Sequence, residues 1–290
     1  MNKYLVVTGA NGFMGSYLAD SLIKKKYKVI KVDKKISGEN NNILKIDLLS
    51  DKEIFQKLNM YNIDRVIHFA AISDIDYSAK YPKKTLNNNY LSTLNLLNFC
   101  RLKKIKYFDF ASSIYTYSAQ GSFYRISKLL CEEIIEEYSR LYQIRYNIFR
   151  YGSLIGLKIN DQNPIIKMIE DAKNKKEIYR SGYGKEIRSY IFIDDAIDLT
   201  IKCIFKNKKN NIYNITGKKN IKVINILEFI STYFEKKTKK KIKILLSKKS
   251  NPHHYIKTPL NKKVITIKTF TPKAENLKKK LGFLIDRILN

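Results

Sequence analysis

The chain has 290 residues, enough to bury one large hydrophobic core. Apolar side chains make up 44% of it and aromatics 12%, which excludes a disordered chain, and no apolar run approaches the ~20 residues that a membrane span needs. Lys and Arg outnumber Asp and Glu by 56 to 26, but this net charge of +30 is spread along the chain and dense only over 236–243. It reads as compositional drift with attraction for an anionic substrate, and no nucleic-acid-binding motif accompanies it.

In chain order, YLVVTGA (4–10) reads as a buried strand and FMGSYLADSLIKKK (13–26) as a helix with Leu18, Leu22 and Ile23 on one face. YKVIKVD (27–33) is a second strand, NILKIDL (42–48) a short third, KEIFQKLNM (52–60) a helix and DRVIHFAA (64–71) a fourth strand. A long helix over 86–104, a fifth strand over 106–113, a helix over 127–142 and a sixth strand over 145–152 follow. This alternation predicts an α/β chain of the Rossmann type, a doubly wound parallel sheet with helices on both faces. Right-handed crossovers then put ligand sites at the carboxyl ends of the strands. Beyond residue 152 the pattern loosens into a helix over 163–175, a loop and strand over 180–195, a strand over 211–216, a helix over 223–237 and a Lys-rich end with Pro252, Pro259 and Pro272. We therefore expect a dinucleotide-binding domain over 1–152 and a smaller C-terminal α/β substrate lobe over 153–290, the two interleaved.

Cys100, Cys131 and Cys203 fall singly in helix-like stretches, which argues against disulfides or a zinc site and fits a reducing compartment. His68, His253 and His254 form no ligand set, so no metal is expected. The N-terminus runs from strand straight into glycines, without the apolar block and cleavage site of a signal peptide, and points to a cytoplasmic protein.

Gly9-Ala10-Asn11-Gly12-Phe13-Met14-Gly15 lies between the first strand and the first helix. Gly9 permits the tight turn, Gly12 lets the backbone approach a pyrophosphate, and Gly15 lets helix and strand pack closely. The helix amino end then offers N–H groups and partial positive charge to phosphates. The spacing G-x-x-G-x-x-G gains its meaning from this strand–loop–helix setting. Asp33 ends the second strand, eighteen residues after Gly15, where a carboxylate accepts hydrogen bonds from ribose hydroxyls and repels a 2′-phosphate. That favours NAD over NADP, with Lys34 and Lys35 partly offsetting the repulsion; the plainer reading of Asp33 is a strand cap. Asp47 and Leu48 follow the third strand and are placed to reach an adenine ring.

Tyr124 and Lys128 share a helix face after the fifth strand. A phenol of pKa ~10 is a poor base near neutrality, and a neighbouring ammonium together with the positive nicotinamide ring would lower that value. Tyr27/Lys31 and Tyr233/Lys237 have the same spacing among the 21 tyrosines, but only Tyr124/Lys128 follows the carboxyl end of a central strand. Ser112 and Ser113 end that strand, and either could hydrogen-bond a reacting hydroxyl or carbonyl.

TGANGFMG, HFAA (68–71), NYLSTLNLL (89–97), ASSIYTY (111–117), YRISK (124–128), GYGKEIRSYIFIDDA (182–196) and LKKKLGF (277–283) occur in order over nearly the whole chain. Together they resemble the extended short-chain dehydrogenases of the nucleotide-sugar epimerase/dehydratase family. The resemblance implies a tightly held NAD, a nucleotide-sugar substrate, Ser113 as hydroxyl partner, Tyr124 as base and Lys128 as its activator. It implies that Phe69, Ala70 and Ala71 line the cofactor, that Asn89 lies near it, and that Arg188 binds the substrate diphosphate. It also implies a homodimer through the helices over 86–104 and 127–142.

Three departures bear on the reaction. Dehydratases of this family carry Asp-Glu after the hydroxyl residue, where this chain has Ile114 and Tyr115, which argues against 4,6-dehydration. Ser153 stands where an asparagine often contacts the nucleotide sugar, and only six residues separate Tyr117 from Tyr124. No late arginine stands near 253–259, where His254 or Lys257 would have to replace it. The reading is a 4-epimerase acting through a transient 4-keto sugar. Its rivals are an NAD(P)H-dependent ketoreductase or dehydrogenase, a non-catalytic dinucleotide sensor, and a nucleic-acid binder resting on net charge alone.

Overall fold

The computed structural model describes residues 3–35, 42–157, 163–206, 209–247, 268–272 and 276–289. Strands β1 (Tyr4–Thr8), β2 (Val29–Asp33), β3 (Ile43–Lys45), β4 (Ile63–His68), β5 (Tyr107–Ser113) and β6 (Arg145–Tyr151) pair in parallel in the order β6–β5–β4–β1–β2–β3. Val6, Val7, Val66, Ile67, Phe108 and Phe110 lie buried because helices cover both faces of such a sheet. The strand order reverses between β1 and β4, which opens a crevice at their carboxyl ends.

Helices α1 (Phe13–Lys24), α2 (Asp51–Leu58), α3 (Ile75–Lys80) and α4 (Pro82–Leu86) come first. The single helix expected over 86–104 is interrupted: α4 passes through a π-helical turn (Asn87–Leu91) into α5 (Ser92–Leu102). α6 (Ser122–Tyr142) starts five residues earlier than its periodicity suggested, so Tyr124 sits inside its first turn. A short 3-10 turn (Ile114–Tyr117) separates β5 from α6.

The rest of the chain comprises β7 (Ser153–Ile155), α7 (Pro164–Lys175), β8 (Glu177–Ser181), β9 (Ile187–Phe192), α8 (Ile193–Lys206), β10 (Asn211–Ile215), β11 (Asn220–Lys222), α9 (Val223–Thr238), β12 (Lys243–Ser247), β13 (Lys268–Phe270) and α10 (Leu277–Leu289). β10 pairs with β6 and β13 with β10, extending the main sheet to eight parallel strands, and α8 packs on α1. The remainder forms a smaller α/β body in which a β11–β9–β7 sheet, the β12–β8 pair and α7, α9 and α10 enclose Ile169, Leu227, Ile230, Phe234 and Leu281. The residues after 152 are thus divided between the two bodies. Among the described residues no helix is long and apolar enough to cross a membrane.

Candidate active site

The turn after β1 presses three elements together. Gly9 has a φ of +67°, and a Cβ on it would lie 2.6 Å from the Ala70 nitrogen; one on Gly15 would lie 2.1 Å from the Gly9 oxygen. Only glycine tolerates that approach of the turn to α1 and to the end of β4. Gly12 is the N-cap of α1 and offers no side chain to its first amides, which leaves them for an anion. The adjoining cleft is lined by Gly9, Gly12, Asp33, Lys34, Asp47, Leu48, Phe69, Ala70 and Ala71, all expected at the cofactor, and also by Asn88, Ile72 and Ser92.

Asp33 caps the end of β2 and lines the cleft. Its two oxygens accept from the Asn11 and Lys35 backbone N–H groups, each at 3.0 Å, and the carboxylate still faces the cleft. Lys34 reaches from the end of β2 to the π-helical turn, donating to Asn88 Oδ1 at 3.2 Å. A pyrophosphate on the α1 amides and a ribose on Asp33 are what such a cleft fits, so these residues suit a dinucleotide.

The side chains of Phe13 and Met14 lie outside this cleft, Met14 packing against the core between α1 and the sheet and Phe13 lining a neighbouring cavity, while their backbone N–H groups are among the first amides of α1. Asn89 is 2% exposed and its amide is spent inside the protein: Oδ1 accepts from Ile72 N at 2.8 Å, and Nδ2 donates to Ile72 O at 3.0 Å and to Ser127 Oγ at 2.9 Å. It ties the loop after β4 to α6, and Asn88 faces the cleft in its place. His68 lies between Thr8 Oγ1, 2.7 Å from Nδ1, and Thr93 Oγ1, 3.1 Å from Nε2, and burial pushes its pKa down to about 3. It is a neutral spacer. Among the described residues no group of three or more His, Cys, Asp or Glu could hold a metal ion.

The pleat of β5 separates its two terminal serines. Ser112 donates to Glu132, whose carboxylate also takes both arms of Arg150. Ser113 points the other way, and its side chain lies close enough to the Tyr124 phenol to oppose the rise in its pKa. Lys128 is 3% exposed; its Nζ donates to the Ala111 carbonyl at 2.7 Å and lies 5.8 Å from the centroid of the Tyr124 ring. Ser113, Tyr124 and Lys128 are therefore together at the carboxyl end of β5.

The expected lowering of the phenol's pKa by Lys128 is not delivered by the chain alone. Burial pushes Tyr124 up to about 12, with the Ser113 side chain opposing it and the nearby Tyr115 adding to it. Burial likewise pulls Lys128 down to about 8, against the influence of Cys131 and Glu132. The ammonium therefore stays mostly charged near neutrality.

Beside this triad lies a cavity of about 640 Å³, lined by Phe13, Tyr115, Ser153, Arg180, Arg188 and Tyr190 among others. That volume suits a small-molecule ligand. Arg188 on β9 is 6% exposed and donates through Nη1 to the Tyr115 hydroxyl; Arg180 pairs with Glu186. The predicted Ser153 and Arg188 are thus brought to one cavity. The one sequence signal that marks Tyr115 is its position two residues after Ser113. His254 and Lys257 lie outside the described residues.

The sequence pattern of the NAD dependent epimerase/dehydratase family matches residues 5–216. A putative UDP-glucose 4-epimerase of Methanocaldococcus jannaschii is 32% identical over 238 residues, covering 74% of this chain and 77% of that protein. A dTDP-D-glucose 4,6-dehydratase of Dictyostelium discoideum is 31% identical over 254 residues, covering 73% of this chain and 57% of that protein. Among solved structures, a UDP-glucose 4-epimerase of Thermotoga maritima with UDP-glucose superimposes with a TM-score of 0.81 at 20% identity, covering 98% of both chains. A Thermus thermophilus UDP-glucose 4-epimerase complex with NAD gives 0.75 at 20% identity, covering 88% of this chain and 90% of that one. With the glycine turn and the serine–tyrosine–lysine set in place, the chain belongs to the NAD-dependent epimerase/dehydratase family, and NAD is its cofactor.

Proposed function

We propose that the chain is a nucleotide-sugar 4-epimerase, acting as a cytoplasmic homodimer on a substrate seated in the cavity beside Ser113 and Tyr124. One observation carries the choice of reaction. Ser113 and Tyr124 interact through their side chains, and the two positions after Ser113 hold no carboxylate. Ile114 is buried, and the Tyr115 phenol is tied to Arg188. Elimination of water between C4 and C6 needs an acid–base pair beyond Tyr124, and these positions do not supply it.

NAD, when bound, supplies a hydride acceptor that returns the hydride within the same turnover. The α1 amides, Asp33, Phe69, Ala70 and Ala71 are the residues that would hold it. Tyr124 takes the proton of the sugar 4-hydroxyl as that carbon is oxidised, and gives it back on reduction. Ser113 holds the same oxygen, and the Lys128 ammonium stabilises the phenolate that forms. Inversion requires the 4-keto sugar to present its other face, so the protein's task is to retain the substrate by its diphosphate while the ring turns.

NMR of UDP- and dTDP-hexoses incubated with the purified protein, without added cofactor, tests this. The expected product is the C4 epimer with a C4 deuterium label retained. A 4-keto-6-deoxy product, or a stoichiometric requirement for reduced cofactor, would overturn it.

A further inference from the structure

We propose that Tyr115 is a substrate-binding residue whose phenol, acting with Arg188, donates a hydrogen bond to the sugar-side phosphoryl group of the substrate diphosphate. This rests on the nucleotide-sugar reading above. It assigns a task to the position where the carboxylate is missing.

The ring is fixed from two sides. Tyr115 follows Ser113 by two residues, and its backbone N–H donates to Ser113 Oγ at 3.3 Å. Gly121, with a φ of +105°, lies so close that a Cβ there would sit 2.9 Å from Tyr115 Cδ1. Gly121 is also the N-cap of α6, so the same contact braces Tyr115 against the helix that carries Tyr124. At the other end, Arg188 donates to the phenol oxygen, with its Cζ 5.6 Å from the ring centroid. Tyr115 and Arg188 line the same cavity, and Tyr115 is near enough to Tyr124 to bear on its titration.

A phenol carries one hydrogen and two lone pairs. With Arg188 occupying a lone pair, the hydrogen is directed elsewhere, and the guanidinium polarises it into a stronger donor. An acceptor reaching that hydrogen also meets the field of the guanidinium, which selects an anionic oxygen over a neutral hydroxyl. Tyr115 lies between the arginine and the proton-moving tyrosine, so the oxygen it reaches belongs to the phosphoryl group nearer the sugar.

Tyr115→Phe keeps the ring and its seat on Gly121 and removes only the O–H. The experiment is calorimetric titration of the NAD-loaded wild type and variant with UDP and UMP, and with dTDP and dTMP. For the base that the wild type prefers, the variant is expected to lose about tenfold in diphosphate affinity, the size of one charge-assisted hydrogen bond, with monophosphate affinity held within about twofold. In an Arg188→Gln background the same substitution should cost far less, because the pair acts as a unit. An unchanged diphosphate affinity, or an equal loss for the monophosphate, would overturn the assignment and leave Tyr115 as a strut for Arg188. A wild type that binds no nucleoside diphosphate would instead remove the nucleotide-sugar reading, before any variant is compared.

Discussion

The Lys128 ammonium stands 5.8 Å from the centre of the Tyr124 ring while it donates to the Ala111 carbonyl at 2.7 Å. Ser113 interacts with the phenol through its side chain. In the proposed reaction the two neighbours divide the work: Ser113 orients the reacting oxygen, and Lys128 supplies a fixed positive field in a buried, low-dielectric site. A phenol held at about 12 is a poor base near neutrality, and in the proposed reaction the positive charge of oxidised NAD would favour its phenolate.

Tyr124→Phe removes the group that moves the proton and leaves the rest of the site intact. Turnover is expected to fall by about 10²–10⁴-fold, the usual worth of a positioned acid–base group. The dinucleotide that co-purifies should be retained, as read by its mass. A variant that keeps wild-type turnover would favour a sensor, for which the tyrosine has no task.

Lys128→Met tests the buried ammonium through its pH dependence. Burial holds Lys128 near 8, below the usual lysine value of 10.5, so between these two pH values the unfolded chain binds the extra proton. Stability therefore rises with pH across that window, by roughly 3 kcal/mol from this one group. Methionine abolishes the contribution. In melting curves the variant should gain on the wild type below pH 8 and lose that advantage as the pH rises toward 10.5. A difference that stays flat with pH would mean that the lysine is not held this way.

The first glycine turn was legible because its requirements are local: strand, turn and helix lie within a few residues of one another. The choice between Ser112 and Ser113 was not, since it depends on Glu132, twenty residues further on, taking one of them. Asn89 is placed near the cofactor by motif resemblance alone, and the π-helical turn that brings Asn88 to the cleft instead leaves no periodic trace in the sequence. β7, β11 and β13 have three residues each, too few for alternation to show. The Tyr115–Arg188 contact joins residues 73 positions apart and follows only from the packing of the smaller body on the sheet.

Gly15→Ala places a Cβ where the Gly9 oxygen already stands, 2.1 Å away, and neither backbone can yield without opening the turn. The variant should emerge without dinucleotide, with thermal stability reduced and not rescued by added NAD. Ser16→Ala, one residue along, removes only a hydroxyl bonded to the Phe13 carbonyl at 3.1 Å and serves as the control. If Gly15→Ala still carried its dinucleotide, the closeness of α1 to the turn would not be what seats the cofactor.

Arg65 and Asp109 form an ion pair inside the sheet, 5% and 0% exposed, with Nη1 2.7 Å from Oδ2 and Asn147 donating to the other oxygen at 2.6 Å. The guanidinium stacks 4.2 Å from the Tyr107 ring centroid, yet Arg65 Nε has no hydrogen-bond partner. Burial raises the Asp109 pKa despite Arg65, so desolvation outweighs the attraction. Asp109→Leu, which leaves a buried guanidinium unpaired, should cost about 3–5 kcal/mol in urea unfolding. Adding Arg65→Met removes the orphaned charge and should recover most of that loss, with turnover unchanged because both residues lie away from Ser113 and Tyr124. A double variant as unstable as the sum of the two single ones would show instead that the two charges are not coupled, and that an orphaned guanidinium is not what Asp109→Leu loses.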